Sequence, residues 1–271
     1  MSSIKRLLIL SLTVASILSA APASAAPKGP TIILQKHVPY TITSPGSYVL
    51  GSNLIVTDPN VTAIFIAGND VTLDLAGFSI QGPEVGEGGG SDASAIDTLG
   101  TNVAVRNGSV RGFDSSSLAC VNLPGLNNRV ESVRVENCSL VGIFVGIAGH
   151  VEHCQVSSAG SGIGADHGSI VSANTLFNIA GAAIGAQGDG GVMVIGNNCR
   201  ESGVCIRTTS DGNRIESNVL TASGVGLDLT VGADNYFARN FLQGNTTAVL
   251  GAADDRDGGT VDPALSNIII P

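Results

Sequence analysis

An apolar residue returns every 22 positions through the second half of this chain, and few folds permit such a pattern. Val171, Met193, Ile215 and Phe237 form the series. Three residues after each come Asn174, Gly196, Asn218 and Asn240, and two further on come Leu176, Asn198, Leu220 and Leu242. The unit reads apolar-x-x-Asn-x-Leu, with one imperfect copy at residues 192–198. Val130 and Val151 extend the first series upstream at intervals of 21 and 20, and Cys154 takes the Asn slot in its copy. A period in the twenties means one supersecondary unit stacked many times.

The units are built of strands. Their apolar residues are mostly Val, Ile and Leu in short runs that alternate with polar ones, and Gly, Asn, Ser and Asp separate the runs. Residues 143–147 and 204–208 alternate in this way. The 36 Gly and the scarcity of Lys and Glu argue against helices. Leucine-rich repeats have a similar length, but their L-x-x-L-x-L signature is missing. A coil of about 22 residues with two or three short strands and tight turns is a parallel β-helix. Asn recurring at one turn suits an internal ladder, in which stacked amides satisfy buried polar groups.

The chain begins like an exported protein. Lys5-Arg6 forms a charged start, residues 7–18 an apolar stretch, and Ala23-Ser24-Ala25 a small-x-small cleavage site, so residues 1–25 read as a signal peptide cleaved near Ala25. The expected location is secreted or periplasmic. The apolar stretch falls short of the ~20 residues that a membrane span needs, and no later run is longer. Net charge is −9 and becomes more negative once Lys5 and Arg6 are removed. That balance disfavours nucleic acid and anionic membranes. The five Cys lie beyond the signal, where disulfides are permitted. Cys199 and Cys205 could close a local loop, Cys138 and Cys154 could bridge adjacent coils, and Cys120 would be left over. Equally, several of them could be small buried core residues.

The expected organisation is an N-terminal cap over residues 26–53, a β-helix over 54–257 and a C-terminal cap or tail over 258–271. Residues 83–93 hold a Gly-rich insertion that lengthens the step from Val71 to Val103 to 32 residues. The run Asn69-Asp-Val-Thr-Leu-Asp-Leu-Ala-Gly-Phe-Ser-Ile-Gln-Gly82, the preceding residues 42–50 and the later units together resemble the bacterial right-handed β-helix repeat proteins of the pectin-lyase-like superfamily. The resemblance implies an all-β, single-stranded, right-handed parallel β-helix of roughly nine or ten coils. It also implies polysaccharide lyases, hydrolases and uronate epimerases as relatives, beside members without known activity.

The catalytic motifs of that superfamily are not matched. Uronan epimerases carry Asp-Pro-His-Asp, whereas this chain has Ala165-Asp166-His167-Gly168. Polygalacturonases carry Gly-His-Gly, which is absent, and the one Asp pair, Asp254-Asp255, lies in a terminal turn. Copper-accessory relatives would imply Met and His ligands, yet Met193 is the one Met beyond the signal and falls in a core row. Asp255-Arg-Asp257-Gly258 lacks the rest of a calcium loop and reads as a polar turn. His150 and His153 flank Glu152, and alternation sends them to opposite faces. With no Trp and three Tyr, a groove that stacks sugars on aromatics is not expected.

One outward row has chemical content. Aligning Ile143, Ile163, Ile184, Val204 and Val225 as inward residues makes Gly146, Asp166, Gln187, Arg207 and Asp228 an outward row. Arg207 and Asp228 are then neighbours, Asp166 lies two coils away at ~10 Å, and His167 follows it. The candidate catalytic residues are therefore Asp166, His167, Arg207 and Asp228, which could hold a uronate and, in a lyase, calcium. The same row reads as a solvated ladder with an ordinary ion pair. Two functions follow: a scaffold or binding protein of the cell envelope or extracellular space without catalysis, or a lyase or epimerase acting on an acidic glycan. Partners are a polysaccharide or an envelope component, and no cofactor is required unless a lyase uses calcium. The register further expects Ile215 to be buried, Glu216 to be dispensable, and Arg207 and Asp228 to tolerate substitution alike.

Overall fold

The computed structural model describes residues 29–83, 93–251, 255–258 and 266–270. The signal-peptide reading, most of the Gly-rich insertion and Asp254 lie outside the described residues. The described strands form an all-β parallel solenoid of about nine turns.

Each turn contributes to three parallel ladders. The first runs from Tyr40–Ile42 through Ile64–Ile66, Ile96–Thr98 and Ala119–Leu123 to Val204–Thr208, Val225–Asp228 and Thr247–Leu250. The second includes His150–Glu152, Ile170–Ser172, Met193–Ile195, Arg214–Glu216 and Tyr236–Ala238. The third includes Thr175–Ile179, Asn198–Arg200, Val219–Thr221, Phe241–Gln243 and Ile268–Ile270. One long strand, Arg129–Val145, wraps round all three. Alternate residues point into a single apolar column, and Val151, Val171, Val194 and Ile215 are fully buried in it.

The corner between the second and third ladders explains the apolar-x-x-Asn pattern. His153, Ala173, Ser217 and Arg239 adopt left-handed φ of 53–57° there. That kink turns the chain, so the next side chain points inward. The inward residue is Asn174, Asn197, Asn218 or Asn240. Each Asn accepts both the backbone N–H and the Nδ2–H of the Asn one coil before it, at 2.9–3.0 Å, from Asn174 through Asn267. Their own Nδ2 groups also donate to backbone carbonyls such as Val171 and Val194. A second ladder, Asn213–Asn235–Asp255, and a third, Ser202–Ser223–Asn245, fill other corners. The buried amides and hydroxyls of these ladders are thereby paired along the solenoid axis, which a low-dielectric interior requires, while Asp255 Oδ2 at the end of the second ladder is buried without a partner.

Several sequence expectations need correction. The residue in the core column is Val194, not Met193, and the ladder amide is Asn197, not Gly196. Met193 is half-buried and pairs outward between Ile170 and Arg214. The coil carries an extra residue near Gly190-Gly191, so the steps into and out of Val194 are 23 and 21 and average to the apparent 22. Glu216 is only 4% exposed instead of dispensable on the surface. Cys138 is bonded to Cys120, not Cys154, while Cys199–Cys205 forms as the local loop. Cys154 is a buried thiol in the column, where burial pushes its pKa up to about 12.

At the N-terminal end, parallel pairing already involves Thr31–Ile33 with Tyr48–Leu50. Gln35 then seals the strand edge at Ile55: its Oε1 accepts the Ile55 N–H and its Nε2 donates to the Ile55 carbonyl. An edge covered in this way recruits no further strand.

Candidate functional site

The first ladder presents one outward row, and its residues decide what the surface can hold. In register it reads Phe65, Asp97, Asn122, Phe144, Gly164, Gly185, Arg207, Asp228 and Leu250. Two consecutive glycines leave a notch between Phe144 and Arg207. The notch deepens into a groove of about 370 Å³ lined by Asn122, Phe144, Ser161, Gln187, Arg207 and Thr209 among others. Coils stack about 4.8 Å apart, so Phe144 and Arg207, three coils apart, stand roughly 14 Å from each other.

The floor is backbone. A methyl on Gly164 would lie 3.0 Å from Phe144 Cδ2, so the ring leans over that glycine. A methyl on Gly185 would meet nothing nearer than the Ile163 carbonyl at 4.0 Å, which is open space. Gly146, expected in the outward row, instead sits at a corner, where an added Cβ would lie 1.9 Å from the Pro124 carbonyl. Only glycine allows that coil to stack.

The far wall is an ion pair. Arg207 Nε donates to Asp228 Oδ2 at 2.8 Å. Asp228 Oδ1 accepts the Thr230 hydroxyl at 2.7 Å and the Thr230 N–H at 3.2 Å. Burial pushes the Asp228 carboxyl up, but the Thr230 hydroxyl, the Arg207 guanidinium and the Thr230 amide outweigh it and hold the carboxyl below its usual value. The Asp228 side chain is 9% exposed and the Arg207 side chain 44%. Arg207 is thus a hydrogen-bond donor braced from behind by Asp228, on a side chain that stays 44% exposed and lines the groove.

Of the four sequence-expected site residues, the structure brings Arg207 and Asp228 together and sets the others apart. Ile184 pairs with Ile206, not Val204, so the inward row slips by two residues at that coil. Asp166 consequently follows the strand end, outside the Arg207 row. It accepts the His167 N–H at 2.7 Å, and His167 Nδ1 lies 3.3 Å from the same oxygen. Phe144 and the two glycines escaped sequence reasoning, although the spacing of Phe144, Gly164 and Gly185 carries the signal once register is known.

His150 and His153 do not diverge. His153 sits at the left-handed corner, where alternation fails, and both imidazoles come within 3.9 Å of Glu152 Oε2. Glu152 is also bound by Arg129. Burial and the nearby Arg129 charge lower the His150 pKa.

A family model described as "Periplasmic copper-binding protein (NosD)" matches residues 95–258, more than half of the chain. No curated protein matches. Among solved structures, a lacto-N-biosidase from Eubacterium ramulus aligns with a TM-score of 0.55 and 11% identity, over 85% of this chain and 59% of its own. An alginate lyase in complex with a trisaccharide aligns at 0.43 and 14%, over 80% and 55%. The Azotobacter vinelandii mannuronan C-5 epimerase A-module aligns at 0.36 and 14%, over 79% and 91%. The chain spans about three-fifths of the biosidase's length. At 11% identity the likeness to the biosidase shows the fold alone, and with the family model it gives the right-handed β-helix of pectin-lyase-like proteins.

The family description implies copper, and the side chains at hand do not fit it. Among the described residues no group of three or more His, Cys, Asp or Glu converges. Four cysteines are tied in disulfides and Cys154 is buried. Met193 packs outward beside Ile170 and Arg214. The one His pair shares a carboxylate already bound by a guanidinium, which repels a cation. Copper prefers imidazole and thioether sets that these residues do not assemble.

Proposed function

The chain belongs to the NosD family, and from that membership together with the groove we propose a non-catalytic binding protein of the periplasm or cell envelope. The ligand site is the groove between Phe144 and Arg207. The observation that carries this reading is the pairing of its charged groups. General acid–base chemistry needs a group within hydrogen-bond reach of the reacting atom and free to exchange a proton. Glycoside cleavage needs two such carboxylates across the bond. Here Asp228 is engaged by Arg207 and Thr230 behind the groove wall, and Asp166 holds the His167 amide beyond the row. A pre-formed groove of this volume, lined by one aromatic, several aliphatic side chains and a few amides and hydroxyls, has the character of a small-ligand site.

The test is a turnover screen of purified protein. Polyuronates, with and without calcium, are followed by absorbance for unsaturated products, and by chromatography for shortened or epimerised chains. The expected result is no product beyond the buffer rate. Product formation that Arg207→Ala abolishes would replace the binding reading with a lyase or epimerase.

A further inference from the structure

Resting on the groove as a binding site, we propose that its ligand is a neutral, hydroxyl-rich oligosaccharide, not an acidic glycan or a peptide. Among the described residues Arg207 is the sole Lys or Arg within the segments paired in the first ladder, and it is compensated by Asp228 at 2.8 Å. Asp97 and Asp166 stand near the same face, Asp97 accepting from Asn122 Nδ2 at 2.8 Å and Asp166 beside His167. The chain as a whole carries −9. A uronate entering here would lose hydration without a net positive partner, and that cost is not returned.

A peptide is disfavoured by the backbone. The strands lining the groove pair with a coil on each side, so no free edge is available for strand addition. What the groove offers is a glycine floor, one leaning aromatic ring at Phe144 beside the aliphatic Leu140, Val141 and Ile163, amides at Asn122 and Gln187, and the guanidinium of Arg207. A pyranose presents an apolar C–H face to an aromatic ring and hydroxyls to amides and guanidinium. A row of roughly 14 Å suits a short run of such rings.

The experiment is titration calorimetry of the whole protein with cellotriose, maltotriose and tri-N-acetylchitotriose, and with trigalacturonate as the acidic counterpart. The expected result is saturable binding of at least one neutral trisaccharide, changing less than about twofold when salt is raised, since no charge pairing is screened. Phe144→Ala should weaken it about tenfold or more, as removal of a stacking ring does. Gly185→Val should abolish it, because the side chain fills open space in the groove. Phe177→Ala, an exposed aromatic on the third ladder, should leave affinity unchanged. Melting curves on each variant separate lost binding from lost folding, and Gly185→Val keeps the test valid if Phe144→Ala misfolds. Absence of binding by all three neutral sugars would overturn the inference. So would preference for trigalacturonate with steep salt dependence. Cleavage of a neutral trisaccharide would overturn the binding-protein reading instead, while leaving the ligand class standing.

Discussion

Glu216 and Asp228 are carboxylates that strand alternation points outward, yet both are covered, at 4% and 6% exposure. Their covers are arginines from the same or neighbouring coils. Arg214 Nε lies 2.7 Å from Glu216, and Arg239, 23 residues on, reaches its other oxygen. The Arg214 pKa is raised by its hydrogen bond to Glu216 and by the carboxylate charge. A periodic reading assigns each side chain a face but not the long side chain that lies across it, so this burial was not legible. Glu216→Ala should therefore destabilise by about 1–3 kcal/mol, the range for charge-assisted bonds, and Ile215→Asp should prevent folding. Thermal melts of the two variants check both. Arg207→Ala, on the exposed side of its pair, should cost under ~1 kcal/mol, whereas Asp228→Asn should cost about 1–3 kcal/mol. The two are not equivalent, because Asp228 also anchors Thr230. The Asp228 pKa is depressed on folding, so its contribution is full above the ordinary carboxylate value of about 3.9 and is lost as pH falls through the folded value. The melting-temperature gap between wild type and Asp228→Asn should be flat from about pH 7 to 5 and close below about pH 4. A gap that widens in acid would contradict the assignment.

The corner ladders are the elements that hold the coils in register. Their existence was legible, because Asn recurs beside an apolar series. Their membership at one coil was not, since an added residue near Gly190 moved the inward position from Gly196 to Asn197. That shift supplies a test. Asn197→Ala removes two acceptor contacts from Asn174 and the Nδ2 donations to Val171 and to Asn218 Oδ1, and should cost about 3 kcal/mol or more, with buried groups left unpaired. Asn198→Ala, one residue on and exposed, should change the melting temperature little. Equal effects would mean that the register is wrong. Cysteine pairing was half legible for a related reason: Cys199 and Cys205 are near in sequence, whereas Cys120 and Cys138 meet only through stacking. Cys154, held as a buried thiol, should resist iodoacetamide at pH 8 in the folded protein and be alkylated once the chain is unfolded without reductant.

For the whole molecule, the repeat dictated the solenoid because each unit has an apolar stripe that only a neighbour can cover. The groove was less accessible to sequence. It depends on which outward positions become neighbours across four coils, and a slip of two residues at Val204 was enough to misplace Asp166 while leaving Arg207 and Asp228 paired. Phe144, Gly164 and Gly185 are ordinary in sequence and become a site only when stacked. The proposed ligand surface is that stacked row. Backbone amide shift mapping of the isotopically labelled protein, titrated with the trisaccharide that binds best, tests it most directly. The predicted result is perturbation confined to the first face from Asn122 to Arg207, and its loss in Gly185→Val. Perturbation centred on the second face around His150 and Met193, or on the terminal strand Ile268–Ile270, would contradict it.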